Sequence, residues 1–96
     1  MIEVRETTIF SDWLESLSDN VTRTRIQARI LRLRSGNPGD VKSIGEGVAE
    51  MRIHHGSGYR IYFVKKGSEL IILLADGDKS TQSKDIRKAL NLARNL

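Results

Sequence analysis

An α+β domain is what this sequence predicts: a mostly antiparallel four-stranded sheet packed against an N-terminal helical hairpin and a C-terminal helix. Three observations carry that expectation. Val48–Val64 alternates in polarity on either side of a glycine-containing bend, HHGSG, as the arms of a β-hairpin do. Apolar residues recur at helical spacing in three places, beginning with Phe10, Trp13, Leu14 and Leu17 at i, i+3, i+4 and i+7. Leu70–Leu74 is apolar on both faces, as in a strand covered on both sides. The expected order is β-α-α-β-β-β-α over residues 1–96, in one domain, since a chain of 96 residues can bury only one modest core.

Each element has its own local signal. Ile2–Arg5 alternates as a short first strand, and Thr7 or Thr8 is placed to cap the helix behind it by accepting an unpaired amide hydrogen. The single tryptophan, Trp13, falls on that helix's apolar stripe and is expected to pack. Ser18–Asn20 breaks the chain. A second helix then runs over about Asn20–Arg34 with Ile26, Ile30 and Leu33 inward, and Gly36 and Pro38 end it. The segment SGNPGDVKSIGEG, rich in glycine, reads as a loop leading into the central strands. After the strands, ADGDKSTQ turns the chain into a last helix whose stripe is Ile86, Ala89, Leu90 and Ala93.

Hairpin register follows from parity, because slipping a strand by one residue sends every side chain to the opposite face. An odd loop centred on Gly56 sets Arg52 opposite Arg60, Glu50 opposite Tyr62, Met51 opposite Ile61 and Ala49 opposite Phe63. At the next turn Gly67-Ser68 suits a two-residue II′ hairpin, which sets Lys66 opposite Glu69, Ile61 opposite Leu74 and Phe63 opposite Ile72. Glu50, Arg52, His54, Arg60 and Tyr62 then share one face. Two arginines facing each other across a ladder repel, so a negative group is expected beside them, either Glu50 or a ligand.

Composition narrows the function classes. The formal charge is only +4, but five arginines and no acid lie between Asn20 and Arg34, with Arg25, Arg29 and Arg32 on one stripe. Such a stripe suits nucleic acid, a ribosome or an acidic protein, and equally suits a solvated helix face. No apolar run approaches the roughly 18 residues of a membrane span, and Met1–Phe10 lacks the apolar core of a secretion signal, so a cytoplasmic protein without membrane contact is expected. Without cysteine there are no disulfides, thiolate metal sites or cysteine nucleophile. Asp76 and Asp78 lack the glycine and distal glutamate of a calcium loop, and His54 and His55 point to opposite faces of a strand, so neither pair predicts a metal. No cofactor is expected.

What remains is a cationic cluster. Arg52, Arg60 and Lys79 carry the charge needed to stabilise a pentacoordinate phosphate, and guanidinium groups match phosphate oxygens in pairs. Nearby positive charge favours the neutral amine, which makes Lys79 a candidate base, while His54 is the neighbouring group suited to proton transfer near neutrality. A purely structural assignment is also open: Arg52 paired with Glu50, Arg60 with Asp85, and Lys79 merely exposed.

The runs GNPGDVKSIGEGVAEMRIHHGSGYRIYF and LLADGDKSTQSKDIRKA, with the helix start FSDWLESLSD, resemble the RelE/ParE toxin superfamily, in its HigB-like or phage Gp49-like branch of addiction module killer proteins. The likeness spans nearly the whole chain as a single toxin domain. It implies a RelE-like fold and the toxin of a type II toxin–antitoxin pair, held inactive by a small antitoxin that is often a helix-turn-helix protein. RelE-type members cut mRNA on the ribosome without a metal and so inhibit translation; ParE-type members inhibit DNA gyrase without being enzymes. By position, Arg60 in GYRIYF corresponds to the arginine on the scissile phosphate, Arg52 to a basic residue of the preceding strand, and Lys79 to a cation before the last helix. The resemblance thus implies an endoribonuclease, an mRNA interferase, with Arg60, Lys79 and His54 in catalysis and Arg52, Tyr62, Arg25, Arg29 and Arg32 on RNA. The alternatives are a gyrase inhibitor and an inactive phage-derived module that keeps only antitoxin binding. The C-terminal aromatic or histidine strand of several such nucleases has no counterpart before Leu96, which leaves His54, Tyr62 and Lys79 as acid–base candidates.

Overall fold

The computed structural model describes residues 2–96 and contains, in order, β1 (Glu3–Glu6), α1 (Thr8–Ser16), α2 (Asn20–Arg34), β2 (Val41–Gly45), β3 (Val48–Ile53), β4 (Tyr59–Lys66), β5 (Leu70–Gly77), a short 3₁₀ turn (Lys79–Thr81) and α3 (Gln82–Arg94). The strands form one sheet in the order β1-β5-β4-β3-β2. It has five strands rather than four, and it is mixed: β1 runs parallel to β5, and the other neighbours are antiparallel.

Thr7 caps α1 as its sequence position suggests, accepting from the amide of Phe10 at 3.1 Å, while its own hydroxyl donates to the Leu74 carbonyl at 2.7 Å. One threonine therefore both starts the helix and ties it to β5. Asp19 caps α2 through the amide of Val21, and Gly36, at φ +86°, lets the chain turn back at the end of that helix. The apolar stripes of α1 and α2 cover one sheet face: Phe10, Ile26 and Leu33 pack with Met51, Ile53, Ile61, Phe63 and Leu73. Beneath α3, the other face packs Val48, Tyr62, Val64, Leu74 and Ala75 against Ala89. No helix among the described residues is long and apolar enough to cross a membrane.

The fifth strand lies where the sequence suggested a loop. Its two apolar residues serve opposite layers, Val41 the α1/α2 side and Ile44 the α3 side, so no amphipathic alternation advertises it. The turn into β3 is Glu46-Gly47, at φ +54° and +79°, which does the work of an Asn-Gly pair with a residue that rarely takes that conformation.

The β3–β4 register is the one that parity requires, with Arg52 opposite Arg60 and Glu50 opposite Tyr62. The β4–β5 register is not. Lys66 pairs with Leu70, so the turn holds Gly67, Ser68 and Glu69, and a bulge between Tyr62 and Phe63 adds a second residue of shift. Phe63 thus faces Leu73 and Ile61 faces Asp76, in place of the expected Ile72 and Leu74. The bulge restores side-chain parity beyond it and brings Gly77 opposite Arg60, with consequences for the site.

Candidate functional site

The ends of β3 and β4, the HHGSG bend between them and the 3₁₀ turn enclose a cleft of about 510 Å³, lined by Arg52–Arg60 and Lys79. Its floor is the Arg52–Arg60 cross-strand pair. The group that offsets their repulsion is Glu50, whose side chain is completely buried. One oxygen, Oε1, lies 3.5 Å from Arg60 Nε and 3.7 Å from Arg52 Nε. The other, Oε2, accepts from the Tyr62 hydroxyl at 2.9 Å and from Gln82 Nε2 at 3.1 Å.

Such a carboxylate is tolerable under a helix because the four polar groups that meet it are all donors or cations. Tyr62 bears the cost: burial, reinforced by the hydrogen bond to Glu50, pushes its phenol well above the usual range. That phenol stays protonated and points inward. The sequence placed Tyr62 among RNA contacts and acid–base candidates; in the structure it is buried beneath α3 with its hydroxyl on Glu50.

Among the described residues, neither guanidinium donates a hydrogen bond to a protein atom; their Nε atoms face Glu50 from just beyond bonding distance. Arg60 is the more enclosed, at 14% side-chain exposure against 37% for Arg52. Both line the cleft. Lys79 stands exposed on the 3₁₀ turn, which Asp78 caps by accepting from the Ser80 amide at 2.8 Å. Asp85, the other partner considered for Arg60, instead accepts from Thr81 Oγ1 and lies over Gly77.

At the rim, His54 Nε2 lies 2.7 Å from Asp40 Oδ2, and Asp40 Oδ1 is 3.9 Å from Arg52 Nε. The bond to His54, helped by the charge of Arg52, holds the Asp40 carboxyl below its ordinary range. His55 turns the other way and meets Thr22 Oγ1 of α2 at 3.1 Å. The arginine stripe of α2 divides. Arg29 donates to the carbonyls of Arg52 at 2.6 Å and Pro38 at 3.1 Å, which braces β3 against the segment that follows α2. Arg25 and Arg32 are exposed on α2.

Arg52, Arg60, His54 and Lys79 are therefore brought together, Tyr62 lies beneath them, and Arg25 and Arg32 stand on α2. Glu50 was foreshadowed by its place on the arginine face. Asp40 and Gln82 carry no local signal of the site: Asp40 arrives because β2 pairs with β3, its carbonyl accepting the Arg52 amide at 2.9 Å, and Gln82 because α3 closes on the sheet.

Residues 12–96 match the family model described as "Phage derived protein Gp49-like". An uncharacterized protein of Haemophilus influenzae is 46% identical over 95 residues, which cover 99% of this chain and 96% of that one.

Proposed function

The chain belongs to the phage-derived Gp49-like family, which is associated with toxin–antitoxin addiction modules, and on that premise we propose that it is the toxin of a type II pair acting as a metal-independent, ribosome-dependent mRNA endoribonuclease. Its partners are then a cognate antitoxin, the ribosome and the message it presents. The observation that carries this reading is the pair of guanidiniums lining the cleft, neither of which donates a hydrogen bond to a protein atom among the described residues.

In the reaction, the 2′-oxygen of one nucleotide bonds to the adjacent phosphorus while the bond from phosphorus to the 5′-oxygen breaks. A proton leaves the 2′-hydroxyl and another arrives at the departing 5′-oxygen. Arg60 stabilises the extra negative charge of the phosphorane, and Arg52 holds the backbone in line for attack. Lys79 and the Asp40-oriented His54 flank that position and move the two protons. Arg25 and Arg32 add salt-dependent attraction to RNA.

Arg60→Ala tests the reading. Mapping mRNA 5′ ends after induction of the toxin alone is expected to show new ends with the native chain and a loss of about 10²–10³-fold in the variant. A folded variant that still arrests growth and still cuts message would refute the assignment. DNA breaks with unchanged mRNA ends would establish gyrase inhibition in its place.

A further inference from the structure

Glu50 is an expensive residue to keep. Apolar side chains of similar size would fill its place under α3 at lower cost than a carboxylate taken out of water. Its geometry shows what it supplies. At 3.5 and 3.7 Å from the two Nε atoms it is too far for good hydrogen bonds and near enough for strong Coulombic attraction, so it contributes charge more than a fixed fork. Arg52, Arg60 and Lys79 bring three positive charges to the cleft, and Glu50 and Asp40 bring two negative ones; among these five side chains three minus two leaves a single positive charge.

We propose that Glu50 is a specificity-determining residue that sets the charge of the cleft to match one phosphodiester, so that internal linkages of a polynucleotide are accepted and terminal phosphate monoesters are disfavoured. The proposal rests on the reading of the cleft as a phosphate site given above. A phosphodiester carries one negative charge, whereas a monoester carries nearly two above a second pKa of about 6. Attraction to the cleft grows in proportion to ligand charge, but the cost of stripping water from the ligand grows with its square. A cleft of charge +1 therefore gains less from a dianion than the dianion loses in hydration. Removing one fixed negative charge raises the attraction for a dianion by two charge units and for a monoanion by one, so the balance moves toward the monoester.

The test compares two small ligands at pH 8, a 2′-O-methylated dinucleotide with one uncleavable phosphodiester and uridine 3′-monophosphate, in NMR titrations that follow the arginine Nε–H signals. The native chain is expected to prefer the diester. Glu50→Gln, whose amide oxygen still accepts from Tyr62 and Gln82, is expected to shift the ratio toward the monoester about tenfold, the effect of one unit charge a few ångströms away after partial screening. Asp40→Asn, at an exposed position that does not threaten folding, is expected to shift it the same way by about threefold, since water screens the rim more. An unchanged ratio in a folded Glu50→Gln overturns the proposal, and if that variant does not fold, an unchanged ratio in Asp40→Asn overturns it. A native chain that binds neither ligand in the cleft defeats the nuclease reading as well; one that binds the diester while both variants keep the native ratio defeats only the charge match.

Discussion

Substituting Gly77 by alanine offers a measure of how tightly α3 is seated on the sheet. Gly77 faces Arg60 across β4 and β5, and a Cβ built there would lie 2.2 Å from Oδ2, 2.7 Å from Cγ and 3.0 Å from Cβ of Asp85 in the first turn of α3. A carboxylate tip can swing aside. The Asp85 Cβ cannot, because it is fixed by the helix, so α3 must lift. Overpacking of this kind costs about 1–3 kcal/mol. Turning Asp85 away forfeits its bond from Thr81 and its favourable place at the helix N-terminus, about 1 kcal/mol more. Alanine in a strand recovers about 0.5 kcal/mol by restricting the unfolded chain. The net loss is about 2.5 kcal/mol, which for a domain of this size lowers the melting temperature by about 10–20 °C. Thermal unfolding followed by circular dichroism reads it directly. In an Asp85→Gly background, which has no Cβ to meet, most of the loss is expected to vanish. A Gly77→Ala protein that melts at the native temperature, or an equal loss in both backgrounds, would refute the steric account and with it the idea that a glycine lets α3 bring Gln82 down to Glu50.

Two further expectations bear on the buried groups. Burial raises the Asp76 carboxyl above its ordinary value of 3.8, with Asp85 and Asp78 adding to the effect and Lys88 opposing it. A carboxyl raised on folding is disadvantageous once ionised, so Asp76→Asn is expected to stabilise the protein at pH 7 and to make no difference below about pH 3.8, the gain appearing as pH rises through the folded value. For a half-exposed group the effect is about 0.5 kcal/mol, or about 2–4 °C in melting temperature. Tyr62→Phe removes a buried charge-assisted hydrogen bond and is expected to cost about 2 kcal/mol, about 10 °C, while leaving RNA affinity unchanged because the hydroxyl does not reach the cleft. Lost RNA affinity in a folded Tyr62→Phe protein would reinstate the direct contact that the sequence suggested.

Much of this molecule is legible in its sequence wherever a local rule suffices. The stripes of α1, α2 and α3 follow from helical spacing, the capping of α1 from Thr7, the end of α2 from Gly36, and the Arg52–Arg60 pairing from the parity of one hairpin. Their juxtaposition already implied a nearby negative charge, and Glu50 is that charge. The edge strand β2 stayed hidden because Val41 and Ile44 serve different layers, and the β5 bulge because the apolar run Leu70–Leu74 fits more than one register. Only tertiary packing decided which polar residues of the shared face remain open. Parity placed Tyr62 and Glu50 beside the arginines, but α3, lying over that half of the sheet, buried them and left Arg52 and Arg60 at its border. A face is fixed by the two-residue period of a strand, whereas access to it depends on what another part of the chain lays across it, and no local pattern encodes that.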